Sequence, residues 1–188
     1  MNLARRSLLR TAGALTAVCA MVVGPVGLPV AAQADTARFG DTRGDIGHGA
    51  DIHWVRVVNE KAVRVVIQHR NLVRSYKSGT SGSVYLDTNR HRPGPEFIFL
   101  GAFFQGADYA LARARNWHPK ESAVPLVCPY MMRLDYAADR TYIKIGRDCL
   151  GSPGRIRVAV KTGGGTAGSA EVDWLGSRRE FSPWVARG

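Results

Sequence analysis

The sequence lacks the short motifs by which several large enzyme classes are recognised. It contains no GxSxG serine elbow, no HExxH zinc motif and no GxxxxGK[ST] phosphate loop, and the glycine run at 163–165 has no lysine to hold a phosphate. Its five histidines lie far apart, and His69 shares a strand face with valines, which favours a place in the core. A nucleophile, a base and an acid can still meet in three dimensions. A secreted hydrolase therefore stays an alternative to a non-enzymatic protein.

Cysteine is scarce, with three in the whole chain. No CxxC pair occurs and no histidine lies near Cys128 or Cys149, which argues against a metal site of the zinc type. Cys19 lies in the apolar stretch near the amino terminus, and its removal with that stretch would leave an even number. Two cysteines in an exported chain predict one disulfide, Cys128–Cys149, which would stabilise the fold by about 3 kcal/mol.

The amino-terminal 34 residues have the three parts of a secretory signal peptide. MNLARRSLLR is basic, residues 11–34 are uncharged and largely apolar, and AQA at 32–34 offers small residues for cleavage. The arginine pair at 5–6 suits either a twin-arginine signal or an ordinary basic start. An uncleaved anchor is the alternative, although glycine and proline interrupt the second half of the stretch. We expect a single domain at 35–188 that is secreted or attached to the cell envelope, with no integral membrane segment once the signal is removed.

Acidic residues are few, with 15 Asp and Glu against 26 Lys and Arg and a formal net charge of +11. Loss of the three signal-peptide arginines would lower this charge to about +8. A basic exported protein meets cell-wall phosphate polymers and acidic polysaccharides first, and these are the predicted partners; no specific nucleic acid is predicted. The alternative is that arginine serves only as a soluble surface residue.

Sustained helical periodicity is almost absent, whereas alternation of apolar and polar residues recurs. DIHWVRVV (51–58), AVRVVIQH (62–69) and RIRVAVK (155–161) each alternate, and the first two predict a hairpin. Only the stretch 108–116, rich in Ala, Leu and Arg, also suits a helix. The pattern predicts an all-β domain, an antiparallel β-sandwich of jelly-roll type with about eight strands. A barrel is the alternative.

Several short segments resemble a known kind of protein. The strand start DI at 51–52, VYLDT at 84–88, and IKI at 143–145 followed by CLGSP at 149–153 resemble small secreted β-sandwich proteins of actinobacteria. More distantly, the chain is similar to the sandwiches of DOMON domains and family 9 carbohydrate-binding modules. This chain has DTN at 87–89 where those modules often have Asp-Thr-Asp. The resemblance implies the sandwich fold.

The stretch DTRGDIGHGADI at 41–52 carries three aspartates. Its three glycines predict a flexible lead into a first strand that starts at residues 51–52. Because calcium prefers clustered oxygen ligands and is plentiful outside cells, Asp41, Asp45 and Asp51 form a candidate calcium site. The alternative is that these aspartates only shape turns. No other cofactor is predicted.

Exposed aromatic rings and arginines are the candidate ligand-binding residues. Trp117 lies in a polar loop and Trp54 on a strand, so either ring could serve as a sugar platform, with packing in the core or at its rim as the alternative. Arg113 and Arg115 are predicted to contribute positive charge beside them. A single basic sheet face is predicted if the strands are neighbours, from Arg64, Arg113, Arg115, Arg133, Arg155, Arg157 and Lys161.

These features together predict an exported, non-enzymatic binding or interaction module at the cell envelope. Its ligand is expected to be a carbohydrate or an anionic wall polymer. A structural or protein-interaction protein without a small ligand is the first alternative, and the hydrolase is the second. The sequence does not determine the oligomeric state.

Overall fold

Strands make up most of the regular structure of the protein. The structure, a computed structural model, describes residues 35–120, 124–166 and 168–188, and the predicted signal peptide at 1–34 lies outside them. Two 3₁₀ helices of three residues, Tyr76–Ser78 and Asp148–Leu150, interrupt the strands. The strands are β1 (Thr36–Gly40), β2 (Ile52–Asn59), β3 (Ala62–His69), β4 (Ser81–Asp87), β5 (Phe97–Ala102), β6 (Tyr109–Arg115), β7 (His118–Pro119), β8 (Tyr130–Asp135), β9 (Arg140–Gly146), β10 (Arg155–Gly164), β11 (Glu171–Trp174) and β12 (Val185–Ala186).

The strands form two antiparallel sheets that pack against each other. The five-stranded sheet has the order β1-β2-β3-β9-β8, and the seven-stranded sheet has the order β11-β10-β4-β5-β6-β7, with β12 paired to β10. This arrangement confirms the predicted antiparallel β-sandwich. The described residues contain twelve strands rather than about eight. The difference comes from short strands, because the two residues of β7 or β12 cannot show an alternating pattern.

The core lies between the sheets and is built by the alternation in each strand. Val55 and Val57 on β2 point inward while Arg56 between them is exposed. Burying one such aliphatic side chain stabilises the fold by about 1.5–3 kcal/mol relative to leaving it in water. The buried residues of this core include Ile52, Val55, Val57, Val63, Val65, Ile67, Val84, Leu86, Phe97, Phe99, Leu111, Ile143, Ile145, Ile156, Val158 and Val160.

Two local predictions are confirmed by the strand register. β2 and β3 form the expected hairpin, with Asn59 opposite Val63 next to the turn. The ambiguous stretch at 108–116 contains strand β6 and no helix. Its alanines face the outer side of the seven-stranded sheet, and Leu111 on the other side enters the core. Burial on both sides of the sheet outweighs the helix propensity of these residues.

The expected start of the first strand at residues 51–52 is wrong. β1 precedes it and pairs with β2, with Phe39 opposite Val55. The residues between these strands, 41–51, form a loop that hydrogen bonds hold in place. The Asp41 backbone N–H donates to the His53 carbonyl at 3.2 Å, and the Ala50 N–H donates to His48 Nδ1 at 2.9 Å. The glycines therefore permit tight turns in a loop that is tied to the sheet.

The predicted disulfide is confirmed. Cys128 and Cys149 are bonded, with their Cα atoms 5.7 Å apart. The bond ties the segment before β8 to the 3₁₀ helix that follows β9. This helix ends at Gly151, whose φ of 74° lies in the left-handed region that glycine adopts without strain.

A second apolar cluster covers part of the outer side of the seven-stranded sheet. Tyr85, Ile98 and Ala159 are buried there, and the partly buried rings of Trp174 and Phe181 pack on them. The carboxy-terminal segment thus packs on this side of the sheet through its aromatic residues.

Candidate functional site

The predicted basic row does not lie on one sheet. Arg64 and Arg133 lie on the five-stranded sheet, whereas Arg113, Arg115 and the β10 residues belong to the seven-stranded sheet. Strand alternation correctly predicted the outward side for Arg64, Arg133 and the β10 residues, whereas Arg113 and Arg115 are exposed although they share the sheet side of core residue Leu111. Alternation carries no information on which strands are neighbours. The structure places the two groups of basic residues on different sheets.

A different set of cations shares the outer side of the five-stranded sheet, which we call the basic face. The register aligns Arg38, Arg56, Val66, Tyr142 and Arg133 in one row across all five strands. The next row carries Arg64 and Lys144, and the row on the opposite side carries Trp54 and Arg140. The cations of the basic face are Arg38, Arg56, Arg64, Arg133, Arg140 and Lys144.

Aromatic rings hold several of these arginines in place. The guanidinium carbon of Arg38 lies 4.1 Å from the centroid of the Trp54 ring, and that of Arg140 lies 5.4 Å from the same centroid. Arg133 lies 4.1 Å from the Tyr142 centroid in the same manner. Each contact combines cation–π attraction with packing of the side-chain stem, so less conformational entropy is lost when the guanidinium binds an anion.

Two carboxylates neutralise only part of the charge. Arg64 pairs with Glu60 at 2.6 Å, and Arg133 lies 3.4 Å from Asp135. Within the described ranges, the remaining cations of the basic face, Arg38, Arg56, Arg140 and Lys144, have no carboxylate within salt-bridge distance. The face consequently keeps an excess of positive charge that is open to solvent.

A shallow pocket lies at the centre of the basic face. It has a volume of about 330 Å³, and Arg56, Arg64, Arg133 and Lys144 surround it. Val66 contributes to the lining and is only 5% exposed, because the long neighbouring side chains cover it. A second pocket of about 220 Å³ continues from the first past Lys144 toward the start of β8. Four cations around an apolar floor suit an anionic group attached to a less polar chain.

The predicted ligand-binding residues on β6 and after it lie elsewhere. Arg113 and Arg115 are exposed near one edge of the seven-stranded sheet, and the Arg113 guanidinium carbon lies 4.6 Å from the Phe97 ring centroid. Trp117 packs against Phe181, Tyr85 and Trp174, with ring centroids 4.8, 5.1 and 6.2 Å away. The aromatic cluster thus holds Trp117 as part of a packed surface.

An acidic cluster forms between the 41–51 loop and β11. Asp45, Asp51 and Asp173 each offer an oxygen atom within 4.8 Å of the others, and Asp51 and Asp173 are almost completely buried. Three converging carboxylates have the donor chemistry that a hard cation such as calcium prefers. Asp41, which the sequence grouped with Asp45 and Asp51, instead accepts hydrogen bonds from the Gly176 and Thr42 backbone N–H groups.

The ionisation of this cluster is strongly perturbed. Burial, together with the nearby charges of Asp41 and Asp45, raises the pKa of Asp173 to about 7, although a 2.6 Å hydrogen bond from the Ile52 N–H acts in the opposite direction. Partial desolvation and a hydrogen bond with Asp51 raise the pKa of Asp45. Asp51 accepts from the Gly44 N–H at 3.0 Å and lies 3.3 Å from His53 Nε2.

His69 belongs to the core beside this cluster, as its strand face predicted. It is 1% exposed, and its ring nitrogens lie 3.2 Å from the Ala50 carbonyl and 3.0 Å from Thr141 Oγ1. Burial lowers the pKa of His69 to about 4. The ring is therefore neutral at ordinary pH, and each of its nitrogens already has a hydrogen-bond partner.

Several functional candidates were missed at the sequence level. Lys144 and Arg56 alternate with buried residues, so their exposure was predictable, but their proximity depends on the pairing of β2, β3 and β9. Asp173 lies between Val172 and Trp174 in a short strand, where alternation would place it on the polar side, so no local signal indicated its burial. No protein-family model matches the chain, and the search of curated proteins finds no match either.

Proposed function

We propose that the protein is a non-enzymatic binding module of the cell envelope that holds an anionic polymer on its basic face. The observation that carries this proposal is the convergence of six cationic side chains on one side of one sheet, with two carboxylates among them. The basic composition of the chain and its predicted export support the same ligand class.

The dimensions of the basic face favour an extended ligand. Neighbouring strands lie about 4.8 Å apart, so a row across five strands covers about 19 Å. Arg38 and Arg133 stand at the two ends of such a row, and Arg56 lies between them. An exposed charge contributes only up to about 1 kcal/mol, and useful affinity therefore requires a ligand that meets several cations at once. A polymer with repeated anionic groups meets this requirement.

The residue types favour phosphate or carboxylate groups over neutral sugars. Five of the six cations are arginines, whose planar guanidinium pairs with both oxyanions through two hydrogen bonds. A neutral sugar needs an open aromatic face, whereas Arg38 and Arg140 stack on Trp54, and Trp117 is packed among other rings. Binding of neutral glycans through Trp117 stays a prediction, and pull-down on insoluble glycans with W117A tests it.

Charge reversal on the basic face tests the proposal. We expect the double variant R56E/K144E to bind long-chain polyphosphate and polygalacturonate about tenfold or more weakly than the wild type at low salt, because two attractions become repulsions. Both side chains are exposed, so the thermal stability should change little. Binding isotherms at low and at physiological ionic strength would measure the loss, and wild-type binding should weaken as salt increases.

Two further variants make the result specific. R92E/R178E changes the net charge by the same amount at exposed residues outside the basic face, and it should retain the wild-type affinity. R113E/R115E reverses the charges that the sequence indicated on β6. Equal loss in all three variants, or a loss confined to R113E/R115E, would contradict binding on the basic face.

A further inference from the structure

The segment between β7 and β8 exposes aliphatic side chains that a folded protein normally buries. Val127 is fully exposed at 102%, Val124 is 75% exposed, and Met131 at the start of β8 is 47% exposed. Among the described residues, these are three of seven large hydrophobic side chains that lie open to solvent, and they fall within eight consecutive positions. We call residues 124–131 the apolar edge. Several exposed aliphatic side chains in one short segment, unlike single scattered ones, make this segment a candidate interaction surface.

The apolar edge is held in shape by the fold. The Leu126 backbone N–H donates to the Leu111 carbonyl at 2.8 Å, and the Gly146 N–H donates to the Pro129 carbonyl at 2.8 Å. The disulfide ties Cys128 to Cys149, and the side chains of Leu126 and Cys128 pack against the core. The segment thus directs some side chains inward and presents Val124 and Val127 outward from a fixed backbone.

Positive charge borders the apolar edge on both sides. Met131 lies opposite Lys144 in the β8–β9 register, and Arg133 is the next residue along β8 that faces the same side. On the other side, the Leu126 N–H donates to the Leu111 carbonyl on β6 and the Lys120 N–H donates to the Arg113 carbonyl at 3.2 Å, so the backbones of Arg113 and Lys120 lie near the segment. The edge therefore combines exposed aliphatic groups with flanking cations.

We propose that the apolar edge docks the protein on an anionic phospholipid bilayer. Val124, Val127 and Met131 enter the boundary between headgroups and acyl chains, and the flanking cations contact the lipid phosphates. This inference goes beyond the polymer-binding proposal and does not depend on it. Val124 and Val127 lie outside the basic-face pocket, whereas Met131 contributes to its lining and Lys144 belongs to both surfaces.

The chemistry of the edge favours a lipid surface over a protein partner. The outward side chains are aliphatic and present no hydrogen-bonding group, and cations lie beside them, which is the combination that binds an anionic lipid surface. Two valines and one methionine are too few to hold a protein on a bilayer alone, and a few cations are also insufficient. The two signals together give stable but reversible and salt-sensitive attachment. Among the described residues, no helix has the length and apolar character needed to cross a bilayer.

A tryptophan reporter tests which surface faces the lipid. We use the full chain with Val127→Trp and, as the matched control, Val172→Trp on β11, where the native valine is also exposed. Each variant is mixed with vesicles of phosphatidylglycerol and phosphatidylcholine that carry bromine on the acyl chains. We expect the added fluorescence of V127W to shift to shorter wavelength, to be quenched by the brominated lipid, and to lose most of its quenching by acrylamide.

The control should behave differently. V172W should keep its acrylamide quenching, and both reporters should remain exposed with pure phosphatidylcholine vesicles or in high salt. The measurement reports the surroundings of residue 127 itself. Attachment of the chain to the vesicle through the apolar run at 11–34 would therefore not protect the tryptophan at residue 127 from acrylamide.

Other outcomes would overturn the proposal. Unchanged acrylamide quenching of V127W on phosphatidylglycerol vesicles would show that the apolar edge does not enter the bilayer, and equal protection of both reporters would show adsorption without orientation. The V124D/V127D variant should lose the vesicle interaction at this edge and still bind polyphosphate. Because Lys144 borders both surfaces, R38E/R56E, which leaves Lys144 and Arg133 in place, tests the polymer proposal by itself, and the two proposals can then fail separately.

Discussion

At the scale of single residues, the ionisable groups at the 41–51 loop affect stability in opposite directions. The pKa of Asp173 is raised to about 7 by burial, so the folded protein keeps a proton that the unfolded chain releases, and stability falls as pH rises from about 4 to 7. The pKa of His69 is lowered to about 4 by burial. For His69 the unfolded chain binds the proton first, and stability is lost as pH falls from about 6.5 toward 4.

Asp173→Asn should separate these two effects. The amide oxygen can still accept the hydrogen bond from the Ile52 N–H, but the group no longer ionises. We expect the variant to gain thermal stability over the wild type at pH 8 and to differ little at pH 4. Melting temperatures followed by circular dichroism between pH 4 and pH 8 would measure the difference. Equal pH dependence in both proteins would contradict the raised pKa of Asp173.

His69→Gln provides the comparison in the other direction. The substitution disturbs a buried side chain, and we expect it to lower stability at every pH. As pH rises from 4 to 7, the stability of the variant should nevertheless fall more steeply than that of the wild type, because the opposing contribution of His69 is gone. The slope, rather than the overall loss, is the informative quantity.

Calcium binding by the aspartates stays a prediction, and the structure now identifies the group to test. A bound cation would favour ionised Asp45, Asp51 and Asp173 and remove their repulsion. At pH 8, calcium at about 100 times its dissociation constant should stabilise the wild type by about 2.7 kcal/mol and leave D173N almost unchanged. A melting temperature that neither calcium nor a chelator alters would leave the 41–51 loop as a structural segment held by hydrogen bonds.

At the scale of elements, the disulfide and the hydrogen bonds around it hold the apolar edge. The pair joins residues 21 positions apart and connects the segment before β8 to the 3₁₀ helix after β9. C128S/C149S should lower the free energy of unfolding by about 3 kcal/mol in the chain-entropy model. Urea denaturation would measure the change, and wild-type protein unfolded with a reductant present should match the variant. No difference between oxidised and reduced wild type would contradict this role.

The strands show which secondary structure can be predicted from local sequence patterns. Alternation predicted β2, β3 and β10 because in each of them one side is more buried than the other over at least eight residues. It missed β1, in which only Ala37 and Phe39 mark the buried side. Short strands gain their stability from the neighbour they pair with, and that neighbour is not encoded in their own few residues.

At the scale of the whole molecule, the outer sides of the two sheets differ in chemistry. The five-stranded sheet presents the basic face, with Trp54 and Tyr142 supporting its arginines. Part of the seven-stranded sheet is covered by the aromatic cluster around Tyr85 and Trp117. One side is thus available to an anionic ligand, whereas much of the other is used to pack the carboxy-terminal segment.

Of the candidate sites, the sequence predicted residue types more accurately than their grouping. Asp45 and Asp51 do meet, but their third partner is Asp173, more than 120 positions away in the chain. Arg64 and Arg133 share a surface, whereas Arg113 and Arg115 belong to the other sheet. Residues that are distant in the sequence become neighbours only through strand pairing, which single-chain patterns do not specify.

The sequence by itself determined the sandwich class, the core side of the longer strands and the pairing of Cys128 with Cys149, because alternation and the cysteine count are local or combinatorial properties. Only the tertiary structure decided which arginines form the basic face, which carboxylates meet at the 41–51 loop and which valines remain outside the core. These outcomes depend on the order of strands in each sheet. That order is selected by how all the apolar faces pack together, and no single segment contains it.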